Sequence, residues 1–137
     1  TISGLIKGFS KLFTSERKEV FKTIKMGNKM IDLAIFLNDQ KSWLGNAERL
    51  SDEDIKEIAE NYKVDKKYPT ITDVVVAIYK KDIGRDMLSD LTEVVDVLND
   101  KNALKGLKNK TPKNIATINM MKELFTDLKE EIESGNE

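Results

Sequence analysis

Hydrophobic residues recur with a helical period along much of the chain, most clearly in the stretch from Thr70 to Leu98. In its first half the apolar residues at i, i+3, i+4, i+7 and i+8 are Ile71, Val74, Val75, Ile78 and Tyr79. This spacing places them on one face, which Ala77 widens, so the segment predicts a helix at the centre of the fold. Residues 74–76 are all valine and also typical of a strand, which leaves a strand over 71–79 as the alternative.

A second helix is predicted from about Asp86, after a turn at Gly84. Its apolar positions are Met87, Leu88, Leu91, Val94, Val95 and Leu98. On a wheel of about 100° per residue, four acidic residues project roughly opposite this apolar set, namely Asp86, Asp90, Glu93 and Asp100. The two segments together predict a helical hairpin with an acidic stripe on its outer side.

Two further helices are predicted at the start of the chain. Residues 1–14 are amphipathic, and a longer helix is expected from Glu16 to about Leu37. Its heptad-like apolar stripe consists of Val20, Ile24, Gly27, Ile31 and Ala34, with Phe21 and Ile35 beside it. The pair Gly27-Asn28 within this helix indicates a kink or a break.

Start signals mark the remaining helices. Ser51 followed by acids at 52–54 indicates an N-cap and a first turn that the macrodipole favours, and Thr70 with Asp73 resembles a capping box. Thr111-Pro112 begins the last helix, which is expected to run to about Glu133. The apolar seam of this helix, Ile118, Met121, Leu124, Phe125, Leu128 and Ile132, suits antiparallel packing in a bundle.

We therefore expect an all-α fold, a single-domain helical bundle of about six helices over residues 1–137. The length of the chain suits one domain. Residues 1–14 are expected either to pack on the core or to form a detachable amphipathic helix. Residues 134–137 are expected to be a frayed tail.

Composition argues against several chemistries. The chain has no cysteine, hence no disulfide, thiolate metal site or cysteine nucleophile, and no histidine, the commonest general base and metal ligand. The carboxylates are accounted for by helix capping or by solvated stripes, and none begins a calcium-binding loop. We expect a protein that is not an enzyme and that binds no cofactor and no metal.

Charge argues against nucleic acid as a partner. The formal net charge is −1, and only three of the 23 basic residues are arginine, the residue suited to bidentate phosphate and guanine contacts. No apolar run reaches the length of a membrane span and no signal-peptide pattern is evident, so a cytoplasmic location is the expectation. The abundance of Lys, Ile, Asn and Asp is typical of an AT-rich bacterial or phage gene.

Segregated charge within this neutral chain predicts a binding or regulatory module that engages a protein partner, as a monomer or homodimer. One candidate surface is the acidic stripe, and the other is a basic face on the helix predicted from Glu16. The acidic candidates are Asp86, Asp90, Glu93 and Asp100, and the basic candidates are Lys18, Lys22, Lys25 and Lys29.

Two alternatives stay open. A sensor-like helical domain would hold a lipid or fatty acid in an apolar pocket near Met26, Met30, Phe36, Met120, Met121 and Phe125, although core packing explains the same residues. A peripheral membrane protein would instead lie on a membrane surface through residues 1–14. The membrane-contacting candidates in that case are Leu5, Ile6, Lys7, Phe9, Lys11 and Phe13.

Overall fold

A computed structural model describes residues 4–5, 20, 28–39, 50–105 and 110–134, without the side chains of Ala103 and Leu104. The helices are α1 (Asn28–Asp39), α2 (Asp52–Asn61), α3 (Ile71–Ile83), α4 (Met87–Asn99), α5 (Lys101–Lys105) and α6 (Pro112–Ser134). The all-α prediction is confirmed, and the strand alternative over 71–79 is excluded because α3 covers it. Within the described ranges five helices have ten or more residues and α5 has five, against an expectation of about six helices.

Capping boxes begin α2 and α3, where the sequence predicts an N-cap at Ser51 and a capping box at Thr70. Ser51 Oγ accepts a hydrogen bond from the Asp54 N–H at 3.1 Å, and the Ser51 N–H donates to the Asp54 carboxylate at 3.3 Å. Thr70 and Asp73 form the same reciprocal pair at 3.2 and 2.9 Å. Gly84 ends α3 at a φ of 78°, a left-handed conformation that glycine adopts without a steric penalty. These local signals set the boundaries of the α2–α3–α4 unit.

The predicted α3–α4 hairpin is present, and among the described helices α4 has the most helix neighbours. Helix α4 packs on α1, α3, α5 and α6, whereas the main neighbours of α3 are α2 and α4. The core residues of α4 are Met87, Leu91, Val94, Val95 and Leu98, and those of α6 are Ile118, Met121, Phe125 and Leu128. On α3, Ala77 is only half-buried and Lys80 is exposed. Helix α3 nevertheless buries six residues, as many as α4, so both helices of the hairpin contribute equally to the described core.

The buried face of α1 differs from the predicted stripe. Val20 and Ala34 are buried as expected, but the side chains of Ile31 and Ile35 are 42% and 49% exposed. The residues that α1 buries are Met30, Leu33, Ala34, Phe36 and Leu37. Seven of the eight residues from Met30 to Leu37 are apolar, so two helical faces are hydrophobic enough, and packing against α4 selects one of them. The predicted kink at Gly27 and the tail at 135–137 lie outside the described residues.

Candidate functional site

Asp90 is a buried carboxylate at the junction of α1, α3 and α4. Its exposure is 2%. The Tyr79 hydroxyl donates a hydrogen bond to Asp90 Oδ2, and Arg85 Nε donates to the same oxygen at 3.1 Å. On the other side, Lys29 Nζ lies 3.9 Å from Asp90 Oδ1. Burial of this charge is therefore compensated by two cations and one hydroxyl donor, as a buried carboxylate requires.

Both cations hold a second carboxylate and so extend the contact to α1 and to solvent. The terminal guanidinium nitrogen Nη2 of Arg85 donates to Asp32 of α1, and Lys29 Nζ lies 2.6 Å from Glu93 Oε1 of α4. We call Lys29, Asp32, Tyr79, Arg85, Asp90 and Glu93 the Asp90 network. It joins α1 to the α3–α4 hairpin through two ion pairs of opposite polarity. Helix α1 supplies the base Lys29 to one pair and the acid Asp32 to the other.

Tyr79 anchors the buried end of the Asp90 network. Its side chain has no exposed surface, and its ring meets that of Phe36 edge to face at a centroid distance of 5.2 Å. Burial, and then the hydrogen bond to Asp90, raise the pKa of the Tyr79 hydroxyl well above its usual range. The phenol stays protonated at every physiological pH and therefore remains a permanent donor to Asp90.

The geometry of the Asp90 network suits a structural role. The side chains satisfy one another, and the adjoining cleft, which Lys29 and Glu93 help to line, measures only about 60 Å³. A water molecule needs roughly 10–15 Å³ of this volume and small-molecule sites usually measure about 300 Å³ or more, so the cleft suits a few water molecules. In the described ranges no group of three or more acidic side chains is placed to hold a metal ion.

The burial of Asp90 corrects its predicted place on an exposed acidic stripe. Four residues advance a helix by about 400°, so Asp90 lies only about 40° around the helix from Val94, which is 3% exposed. It thus borders the buried face instead of opposing it. Arg85, Tyr79 and Lys29 supply the charge and the donors that make burial of this carboxylate tolerable.

The other three predicted acids are exposed but already have intramolecular partners. Asp86 is the N-cap of α4 and accepts from the Leu88 N–H at 3.0 Å, while Asp100 accepts from the Asn102 N–H at 2.9 Å. Glu93 belongs to the Asp90 network. The structure therefore does not bring the four acids together as one open surface.

Lys29 is the basic candidate that lies within the described residues, and it forms an ion pair with one of the acidic candidates. Lys29 pairs with Glu93, whereas the sequence placed these two residues on separate binding surfaces. The other basic candidates, Lys18, Lys22 and Lys25, lie outside the described residues.

Of the membrane-contacting candidates, Leu5 is half-buried and packs against the core. The candidates Ile6, Lys7, Phe9, Lys11 and Phe13 lie outside the described residues. Among the helices that are described, none is both long and apolar enough to cross a membrane.

The residues that suggest an apolar pocket lie mostly in the core. Met30, Phe36, Met121 and Phe125 are buried, and Met120 is half-buried against them. Met26 lies outside the described residues. Packing of the bundle gives the described members of this set a structural role.

A groove with a different character opens between the C-terminal ends of α2 and α3. It measures about 530 Å³ and is lined by Asn61, Tyr62, Lys63, Ala77, Lys80 and Lys81, which we call the lysine groove. Its lining contains three lysines and no carboxylate. Lys81 Nζ lies 4.9 Å from the centre of the Tyr62 ring, a cation–π distance. Among the described residues, none of the three lysines forms an ion pair.

Lys63 has a backbone conformation that is unusual for a lysine. Its φ is 57°, and it follows α2 in a Schellman motif, where the Lys63 N–H donates to Glu60 O at 3.2 Å and the Val64 N–H to Ala59 O at 2.9 Å. Glycine is the usual residue at this position, because a Cβ disfavours the left-handed region by roughly 1–2 kcal/mol. The motif thus places an exposed lysine at the rim of the groove at some cost in stability.

Sequence reasoning did not single out the lysine groove. The residues Lys63 and Lys80 are far apart in the chain, and only the packing of α2 on α3 brings them to one surface. The signal that was present is local: two lysines in the last turn of α3, and a lysine just after α2.

A second cleft lies at the opposite end of α2. It is lined by Asp52, Glu53, Lys56, Lys67, Tyr68, Pro69 and Thr70, so two acids and two lysines offset each other. This cleft has no net charge, and the lysine groove is the more strongly charged of the two. No protein family, curated protein or solved structure matches this chain.

Proposed function

We propose that the protein is a non-catalytic helical binding module, with a regulatory role, that engages a protein partner through segregated charged surfaces. The observation that carries this proposal is the lysine groove. Buried charges require compensation within the fold, as in the Asp90 network, whereas exposed charges can stay available to a second molecule. Three lysines around an open groove without a carboxylate leave positive charge for a second molecule.

The opposite charge is concentrated on the neighbouring helix α2. Its exposed side chains include Asp52, Glu53, Asp54, Glu57 and Glu60, with Lys56 as the single base. The positive end of the helix macrodipole stabilises the acids of the first turn. Glu57 and Glu60 lie beyond that turn, so the macrodipole stabilises them little. The α2–α3 unit therefore presents an acidic helix beside a basic groove. Such an arrangement selects and orients a charged partner more than it raises affinity.

Site-specific photo-crosslinking tests the proposal in cells of the source organism. Benzoylphenylalanine is introduced at Asn61 in the lysine groove, at Glu57 on the acidic face of α2, and at Glu123 on α6 as the matched exposed control. We expect a discrete protein adduct from Asn61 or Glu57 and none from Glu123.

Each outcome decides one part of the proposal. An adduct from Glu57 alone keeps the binding function and moves the contact to the acidic face. Equal adducts from all three positions, or no adduct from any, contradict a charge-directed partner. A cytoplasmic location stays a prediction of the sequence, and fractionation of the same cells tests it.

A further inference from the structure

We infer that the lysine groove binds a carboxylate-rich segment, a run of Asp and Glu residues in a partner protein. This inference rests on the proposed function and deepens it, because it names the chemistry that the groove recognises.

Both helix ends at the groove carry negative partial charge, which offsets part of the lysine charge. Each helix C-terminus contributes about −0.5 elementary charge, so the two ends together offset about one of the three lysine charges. Lys80 and Lys81 lie in the last turn of α3 and Lys63 just after α2, so the macrodipoles favour all three. Counting only the lining side chains and the two helix ends, a net charge of about +2 remains after this compensation. The matching ligand therefore carries two or more negative charges.

The conformation of Lys63 provides an independent argument. Stability alone would favour glycine at its φ of 57°. The Lys63 side chain is exposed and forms no ion pair within the described ranges, so no ion pair offsets the cost of the left-handed backbone. What the lysine adds is a third positive charge at the rim of the groove.

The donors in the groove favour carboxylates over phosphate. Phosphate sites commonly use backbone N–H groups at a helix N-terminus or the fork of an arginine. The lysine groove lies instead at two helix C-termini, which present carbonyl oxygens, and its lining contains no arginine. Separate lysine ammonium groups suit single negative charges spread along a chain, and Tyr62 with Ala77 offers apolar contact to the methylene groups of Glu side chains.

Fluorescence anisotropy with the full chain tests the inference. The probe is a short, fluorescein-labelled glutamate-rich peptide with capped termini, and its glutamine counterpart is the uncharged control. The groove variant carries Lys63→Gln, Lys80→Gln and Lys81→Gln. The matched control carries Lys101→Gln, Lys105→Gln and Lys122→Gln, three exposed lysines elsewhere, so both variants lose the same charge.

We expect the glutamate peptide to bind the wild-type chain and the control variant within about twofold of each other, and the groove variant at least about tenfold more weakly. The glutamine peptide should not bind, and binding should weaken as salt is raised from 50 to 200 mM, roughly the range over which exposed charges become screened. Amide chemical shifts of Asn61, Tyr62 and Ala77 should move during the titration. A circular dichroism melt verifies that the groove variant is folded.

Equal weakening of both variants would overturn the inference, because it would mean unspecific attraction to a lysine-rich surface. Tighter binding of inorganic polyphosphate or of a single-stranded oligonucleotide of equal charge would overturn the choice of carboxylate. If the glutamate peptide fails while the crosslink from Asn61 persists, only the carboxylate chemistry falls. If both fail, the proposed function falls at this groove as well.

Discussion

The Asp90 network and the lysine groove are both clusters of charge, but they differ in balance and in burial. In the network, two cations alternate with three carboxylates around a buried centre, and the side chains satisfy each other. In the groove, three lysines share an open surface without an acid. Burial of a charge requires compensation within the fold, whereas exposure allows a charge to stay available for a second molecule. The contrast separates side chains that hold the helices together from side chains that can select a partner.

The largest expected effect comes from removing the centre of the network. Asp90→Ala leaves the buried Tyr79 hydroxyl without an acceptor and takes a carboxylate away from Arg85. We expect the free energy of unfolding to fall by about 2–4 kcal/mol in urea denaturation. The control Asp96→Ala lies on the exposed side of α4 and should change it by less than about 0.5 kcal/mol. Equal effects of the two substitutions would show that the buried network adds no stability.

A smaller loss is expected when the network keeps its charges but loses one donor. Tyr79→Phe removes the hydroxyl and leaves Arg85 and Lys29 beside Asp90. The expected decrease in unfolding free energy is about 1–2 kcal/mol, again measured with urea. Tyr68→Phe is the matched control, since Tyr68 is 80% exposed and should leave stability unchanged. A neutral Tyr79→Phe would mean that the two cations alone satisfy Asp90.

Asp73 is less buried than Asp90 and more buried than the lysines of the groove, and its carboxylate belongs to the capping box of α3. Burial would raise the pKa of its carboxyl, but hydrogen bonds from Lys66 and Thr70 outweigh burial and hold the pKa below the usual 3.8. A carboxyl whose pKa is lowered by folding stabilises the fold at pH values above its unfolded-state pKa. This contribution disappears as the pH falls through its folded-state pKa. Asp73→Asn should therefore lower stability by about 1 kcal/mol at pH 7 and progressively less below about pH 4. Urea titrations of both proteins across this range provide the measurement, and a pH-independent difference would contradict the linkage.

The smallest expected effect sharpens the contrast, because it should raise stability while weakening binding. Lys63→Gly relieves the left-handed backbone and should increase the unfolding free energy by about 0.5–1 kcal/mol. The same variant should bind the glutamate peptide about two- to threefold more weakly, since one of three groove charges is lost. Lys67→Gly in the same connection has no positive φ to relieve and should not stabilise. A destabilised Lys63→Gly would mean that the lysine side chain supports the fold.

Local signals were sufficient wherever neighbouring residues decide the structure. Ser51 predicted an N-cap and Thr70 a capping box, Gly84 predicted the end of α3, and the apolar seam of α6 predicted the face that it buries. The phase of α1 could not be predicted in the same way. Ile31 and Ile35 are as hydrophobic as the residues that α1 buries, so only the position of α4 decides between the two faces.

By itself, then, the sequence determined the helical class of this protein, several helix boundaries and the absence of histidine and cysteine chemistry, because these depend on composition and on residues a turn apart. Tertiary structure alone decided that Asp90 is buried, since the donors that neutralise it come from α1, α3 and the turn before α4. It alone also brought Lys63 to Lys80 and Lys81, because packing of α2 on α3 joins residues that the chain keeps apart. The physical reason is the same in both cases: the energy of a charge depends on its neighbours in space, and the sequence orders only its neighbours along the chain.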